Sequence, residues 1–408
     1  MTEYKIIRLG QHGDGVAEGP VYVPRSLPGE VVAGAPEGQV LADAKIITPS
    51  DQRVAAPCRH FKSCGGCQLQ HASDDFVADW KVEVVRNALA AHGLETVFKT
   101  IATSPPASRR RAGFAAKRTK KGAIVGFHGR ASDVVLDTPD CQLLTPEVLA
   151  GRQVAHDLAT VGASRKSALS VMVTESLSGL DVAVTEGKPL DRPLRQQLAV
   201  ICERHGLARL SWYDEVVAMR TPPVQQFDEI EVSPPSGSFL QATQAGQETL
   251  IAAVKDIAGD ARRVIDLFAG CGTFALPLAR HAEVHAVEGD GAMMGALDTG
   301  WRHATGLKKV TTETRDLFRR PLMHDEMAKA DLVVLDPPRA GAEAQVAELA
   351  ESEVPKLAYV SCNPVTFARD AAKLCAAGYA LDWVQVVDQF RWSAHVELAA
   401  CFTATHMR

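Results

Sequence analysis

The residues best able to do covalent chemistry stand where apolar runs stop. Residues 357–360 read as a short buried strand, and Ser361-Cys362-Asn363-Pro364 follows it. The Asn-Pro pair must break the ladder, so the thiol of Cys362 is delivered to a strand end, where it can reach a ligand. A cysteine taken alone is more often small apolar packing, but two other apolar runs end in the same manner. Val264-Ile265-Asp266-Leu267-Phe268 opens into Ala269-Gly270-Cys271-Gly272-Thr273-Phe274, and residues 332–335 lead into Asp336-Pro337-Pro338-Arg339. In open α/β sheets such carboxyl ends converge on the ligand. Gly270 and Gly272 permit a sharp turn with close backbone approach, and a helix expected over 274–280 would present free amides behind them. Glu288 lies 22 positions beyond Asp266 and ends the run 284–287, where a carboxylate can accept both hydroxyls of a ribose. The third glycine of the dinucleotide fingerprint is absent, with Ala275 in its place, so the stretch reads as a nucleoside site.

A second group of chemical residues precedes these. Cys58, Cys64 and Cys67 fall within ten positions, the last two in Cys64-Gly65-Gly66-Cys67, whose glycines let backbone amides point at sulfur. Cys141 is the best fourth ligand, because it follows the β-like run 134–136 and a turn at Pro139. Four thiolates suit tetrahedral zinc or an iron–sulfur cluster, and spacing alone does not choose between them; a redox pair is the simpler alternative. Cys202, Cys271, Cys375 and Cys401 read as packing.

The elements that must position these residues fall into three expected domains. A length of 408 residues exceeds one ordinary core, and 46% hydrophobic with 23% charged residues is a soluble globular composition. Residues 1–52 alternate apolar and polar positions between Gly10, Gly13, Gly15, Gly19 and Pro28-Gly29, as a small all-β module would. Its order, Leu9-Gly10-Gln11-His12-Gly13-Asp14-Gly15-Val16-Ala17 and then Val23-Pro24, resembles the TRAM domain, an OB-like β-barrel that binds RNA. Residues 53–235 carry the cysteines, a helical pattern from Phe76 to Leu89, and a mixed α/β central region with a hairpin through Ser178-Gly179 and a helix over 190–202. From 236 onward strand, loop and helix alternate, which argues for a mainly parallel sheet covered by helices. No apolar run of membrane-spanning length occurs and the amino terminus lacks a secretory core, so a cytoplasmic protein with no membrane role is expected, with a monomer as the default. The formal net charge of -5 gives no general attraction for nucleic acid. A local basic run, Arg109-Arg110-Arg111, Lys117-Arg118 and Lys120-Lys121, is interleaved with Phe114 and Phe127 and would grip phosphates.

Taken in order, Asp266-Leu267-Phe268-Ala269-Gly270-Cys271-Gly272-Thr273-Phe274, Asp336-Pro337-Pro338-Arg339, Ser361-Cys362-Asn363-Pro364 and His395-Val396-Glu397 resemble the S-adenosylmethionine-dependent uracil-5 RNA methyltransferases. The TRAM-like start and the four cysteines resemble the branch that modifies 23S ribosomal RNA. The resemblance implies an α/β fold: a Rossmann-like class I methyltransferase domain over 236–408, an α/β central domain and the N-terminal barrel. It also implies Cys362 as nucleophile and Glu397 as base. Gln241, Phe268, Thr273, Glu288, Asp316 and Asp336 would line the cofactor side with Gly270, and Cys58, Cys64, Cys67 and Cys141 would hold a four-iron, four-sulfur cluster. Ribosomal RNA is the favoured partner. Transfer RNA, or a non-catalytic metal-clamped RNA-binding protein, is the alternative.

The chemistry calls for the same residue types. Carbon 5 of uracil is too weak a nucleophile to take a methyl group unaided, so a thiolate must first add at carbon 6, and a base must later remove the carbon 5 proton. His395 is a rival to Glu397 for that base. Asp336 in place of Asn, and Arg339 in place of an aromatic, disfavour amino-group methylation. Thr243 and Thr273 stand where Asn is usual in the family, and an Asn-rich stretch expected after Glu288 is missing; these changes touch the cofactor contacts.

Overall fold

The computed structural model describes residues 2–405, which form an eight-stranded, a seven-stranded and a five-stranded sheet with one small hairpin. No helix among them is long and apolar enough to cross a membrane.

The eight-stranded sheet carries the strand ends singled out above. Its order is Val310–Thr314, Glu283–Glu288, Arg263–Leu267, Leu332–Leu335, Lys356–Ser361, Glu397–Ala404, Tyr379–Asp388 and Val97–Thr103. The first five are parallel. Leu332–Leu335 is buried along its whole length, and Lys356–Ser361 all but its first residue, as strands covered on both faces must be; their continuous apolar runs follow from that. Glu397–Ala404 runs antiparallel to Lys356–Ser361, with Leu398 opposite Ser361. A reversed strand begins where its neighbours end. Glu397 therefore stands at the same edge as Cys362, although 35 positions separate them in the chain.

The outer strand Val97–Thr103 comes from inside 53–235, and it pairs in parallel with Tyr379–Asp388. The helix Asp74–Ala90 starts on Ser73, whose hydroxyl accepts from the Phe76 amide at 3.3 Å, and buries Val85 and Leu89 in one core with Phe367 and Val384. The layer around the site thus takes elements from both ranges. The helix behind the glycine loop is short, Ala275–Leu278.

The seven-stranded central sheet is mixed and covered by the helices Pro146–Gly162 and Arg192–Arg204. Its hairpin turns as expected, with Ser176 opposite Gly179. The N-terminal sheet, Val21–Val23, Gly15–Ala17, Thr2–Leu9, Val31–Gly34 and Lys45–Thr48, is antiparallel and open: its two outer strands are not hydrogen-bonded to each other, where a closed barrel was expected. The buried Glu30 fastens it to the cysteine segment through Arg53, at 2.6 Å.

Candidate active site

The carboxyl edge of the large sheet borders a cavity of about 1040 Å3, and the four cysteines line its opposite wall. On the sheet side, Phe268 leaves its strand at φ 61°, a conformation a bulky residue adopts only when its surroundings hold it there. Its ring packs on Phe318 with centroids 5.6 Å apart. Gly272 turns at φ 95°, and a Cβ there would stand 2.9 Å from Leu276 Cγ and Leu297 Cγ, so the loop closes only with glycine. Gly270 donates its N–H to Glu288 Oε2 at 3.2 Å. Phe268, Gly270, Thr273, Glu288, Asp316 and Asp336 all line the cavity. Gln241 is not among the lining residues: it is 2% exposed and its Oε1 accepts from Gln389. Thr243 is the helix cap of Gln244–Ala258 and shares a 2.7 Å hydrogen bond with Ser104, which is a structural use of that position.

Cys362 is half-buried on the cavity wall. Its turn is held by Asn363, whose amide donates to the Arg339 carbonyl at 2.8 Å and whose Oδ1 caps the helix Pro364–Ala376 through the Val365 N–H. The Ser-Cys-Asn-Pro and Asp-Pro-Pro-Arg loops are thereby fixed to each other. Burial pushes the Cys362 thiol up to about 11, and the carboxylates of Glu397 and Asp336 push in the same direction; the Arg339 guanidinium opposes them and is the positive group facing the thiol that the sequence did not reveal.

Three acids meet at this edge. Asp266 is fully buried with neither oxygen closing a full hydrogen bond; burial first, then Asp336, raise it well above the carboxylate range, opposed by the nearby Ala275 N–H. Burial and Glu288 raise Asp336; burial and Asp336 raise Glu397, opposed by a hydrogen bond from Gln389. Glu397 is 3% exposed. Gln389, which periodicity could not single out because it follows the last residue of a strand, donates Nε2 to Glu397 Oε2 at 3.0 Å. His395 lines the cavity, and partial desolvation there, then Arg339, push its imidazole down.

Cys58, Cys64, Cys67 and Cys141 are free, half-buried thiols. Arg59 and His60 each bond Asp140 at 2.9 Å, which draws the Cys58 and Cys141 segments together. Gly66 donates its N–H to Cys64 Sγ at 3.4 Å. Burial pushes Cys67 up to about 12, and Cys141, Cys64 and Cys58 act on it in the same sense. Such thiols can ionise together only beside positive charge. Among the described residues, no three His, Cys, Asp or Glu side chains close to single-ion spacing. The cysteine loop is docked on the segment leading to Glu397, with the amides of Gln68 and Leu69 donating to Trp392 O at 2.8 and 2.9 Å.

The basic run is split. Arg109 is partly buried beside Cys67 and Cys141. Arg110 is 6% exposed, and its guanidinium bonds Gln241 O at 3.2 Å, Gln247 Oε1 at 2.7 Å and Gln244. Arg111 donates to the carbonyls of Ser238 and Gly237. Through these bonds the last two, Arg110 buried and Arg111 partly so, join the central sheet to the segment around the start of Gln244–Ala258. Lys117, Lys120 and Lys121 are exposed, and Arg118 partly so, at the other end of Arg111–Arg118. Seven residue steps put that hairpin about 23 Å from Arg111.

Comparison with known proteins matches this architecture. Residues 303–404 match the family model described as tRNA (Uracil-5-)-methyltransferase. An uncharacterized RNA methyltransferase of Brucella suis biovar 1 is 43% identical over 97% of this chain and 96% of its own. The 23S rRNA (uracil(1939)-C(5))-methyltransferase RlmD of Halomonas elongata is 32% identical over 97% of this chain and 88% of its own. The crystal structure of Pyrococcus abyssi tRNA (uracil-54, C5)-methyltransferase with S-adenosyl-L-homocysteine superposes with a TM-score of 0.74 over 98% of this chain and 100% of that one, at 21% identity, so the fold is shared. The chain belongs to the RNA (uracil-5-)-methyltransferase family.

Proposed function

We propose that the protein transfers the methyl group of S-adenosylmethionine to carbon 5 of one uridine in RNA, with Cys362 adding at carbon 6 and Glu397 removing the carbon 5 proton. The observation that carries this reading is the meeting of Cys362 and Glu397 at adjacent strand ends on one cavity with Asp336. Bound cofactor would lie along Phe268, Gly270, Thr273, Glu288, Asp316 and Asp336, and Gln241 supports the site from behind. When bound, its sulfonium would bring positive charge near a thiol that burial first, and then Glu397 and Asp336, keep protonated. Carbon 5 of the adduct would attack the methyl group, with the sulfonium–methyl bond breaking and S-adenosylhomocysteine leaving; Glu397 then takes the carbon 5 proton, carbon 6 releases sulfur, and the uracil double bond re-forms. In structured RNA the uridine must be flipped from its stack, at a cost of a few kcal/mol.

Four thiolates are the donor set of an iron–sulfur cluster, with tetrahedral zinc as the less favoured alternative. Cys58, Cys64, Cys67 and Cys141 would hold it, and it would supply a covalent tie between two segments of the cavity wall. The N-terminal sheet, read as TRAM-like, and the exposed Lys117, Arg118, Lys120 and Lys121 would grip RNA away from the target base. In this reading 1–52 and 53–235 select the RNA and 236–408 does the chemistry, in a cytoplasmic monomer. The 23S enzyme among the relatives supports ribosomal RNA as substrate; the transfer-RNA family model and fold neighbour keep transfer RNA as the second reading.

Cys362→Ala is expected to abolish transfer from methyl-labelled cofactor while cofactor binding persists; retained turnover would sink the covalent route. Mapping 5-methyluridine in ribosomal and transfer RNA from a strain lacking the protein separates the two substrates.

A further inference from the structure

Gln389 is 2% exposed, in the segment between Tyr379–Asp388 and the strand that begins at Glu397. Its Oε1 accepts from the Ala242 N–H at 2.7 Å, while Nε2 donates to Gln241 Oε1 at 2.5 Å and to Glu397 Oε2 at 3.0 Å. A side-chain amide can often be turned end for end, but a backbone N–H can only donate. Ala242 therefore fixes the oxygen and commits the NH2 group to Glu397. The backbone on both sides is pinned too: Lys81 Nζ donates to Asp388 Oδ1 at 2.5 Å and to Phe390 O at 3.1 Å. Gly246 makes the close approach possible, since a Cβ there would stand 2.7 Å from Gln389 Cβ.

We propose that Gln389 is a positioning residue for the proton-abstraction step: it holds Oε2 of Glu397 as a hydrogen-bond acceptor and leaves Oε1 to take the carbon 5 proton. This rests on the reading of Glu397 as base. Oε1 has no protein partner among the described residues, and Glu397 borders the cavity. In the step, the electron pair of the carbon 5–hydrogen bond becomes the carbon 5–carbon 6 double bond. The carbon 6–sulfur pair returns to Cys362, and the proton passes to Oε1. The groups facing Glu397 from neighbouring strand ends are Asp336 and Cys362, whose negative forms disfavour its ionisation, and Arg339 acts on the thiol in the opposite sense. A donor to Oε2 favours the carboxylate, so Gln389 keeps the base usable at lower pH than its other neighbours would.

Gln389→Met keeps the length and removes the donor. The acid limb of its kcat–pH profile is expected to move up by about one pH unit, a loss of about tenfold at the acid end that recovers at alkaline pH, with cofactor affinity unchanged. Gln389→Glu, which keeps the shape and brings a further acid, is expected to move the limb further and carries the test if the Met variant fails to fold. A limb that does not move, or an equal loss at every pH in both variants, overturns the proposal. Glu397→Gln, run beside them, should stop turnover and accumulate a denaturation-resistant RNA–protein adduct. If it turns over normally, the base reading fails; if it traps the adduct while the limb stays put, only the role of Gln389 fails.

Discussion

Asp388 and Asp266 belong to strands of the same sheet, 1% and 0% exposed, and they are in opposite electrostatic states. Asp388 accepts from Lys81 Nζ and from the Phe390 N–H, so its charge is closed by the chain. Asp266 closes no full hydrogen bond with either oxygen, and its neighbours Asp336 and Glu288 are themselves acids. The first arrangement ties the helix Asp74–Ala90 to the segment before Glu397. The second is held neutral behind Asp336 and Glu288, which line the cavity. A buried acid whose partner comes from the chain ties elements together, whereas one set among other acids takes up a proton instead.

The comparison can be broken most forcefully from the closed side. Lys81→Met leaves Asp388 buried without its cation and is expected to cost about 3–5 kcal/mol of stability, most of it restored in Lys81→Met/Asp388→Leu; the denaturation midpoint measures both. From the open side, Asp266→Asn removes a carboxyl that the folded state holds protonated more tightly than the unfolded chain does. The folded form binds the extra proton, so wild-type stability relative to the variant falls as pH rises above about 4, by about 1.4 kcal/mol per unit until the folded group ionises. A difference independent of pH between 4 and 7 would mean that Asp266 is not held neutral. The smallest effect is expected where charge is fully solvated: Lys117, Lys120 and Lys121 changed together to Ala should shift stability by less than about 0.5 kcal/mol. The same variant should lower the slope of log affinity against log salt for RNA by about two to three. An unchanged slope would remove the hairpin from the RNA interface.

Much of the chemical edge was legible because its strands are short and covered on both faces. Leu332–Leu335 and Lys356–Ser361 show as apolar runs with polar ends, and the glycines at 270 and 272 announce the turn that only glycine allows. The basic run was legible only as charge. Arg110 and Lys120 look alike in the chain, yet one is sealed among three glutamine groups and the other lies on a hairpin tip. Helical and strand periods report which face of an element is apolar; they say nothing of whether a charged residue finds acceptors from a segment 130 positions away.

The order of the motifs around Gly270, Asp336, Cys362 and Glu397 along the chain carried the family resemblance, and with it the expected reaction type. Tertiary structure alone decided what surrounds them. The reversed last strand set Glu397 at the same sheet edge as Cys362, Gln389 bonded Glu397, Lys81 came from a distant helix to pin Asp388 beside Gln389, and the cysteine loop came to line the same cavity. Residue types limit what a group can do, whereas its proton affinity and aim are set by burial, hydrogen bonds and neighbouring charge, which exist only once the chain has packed.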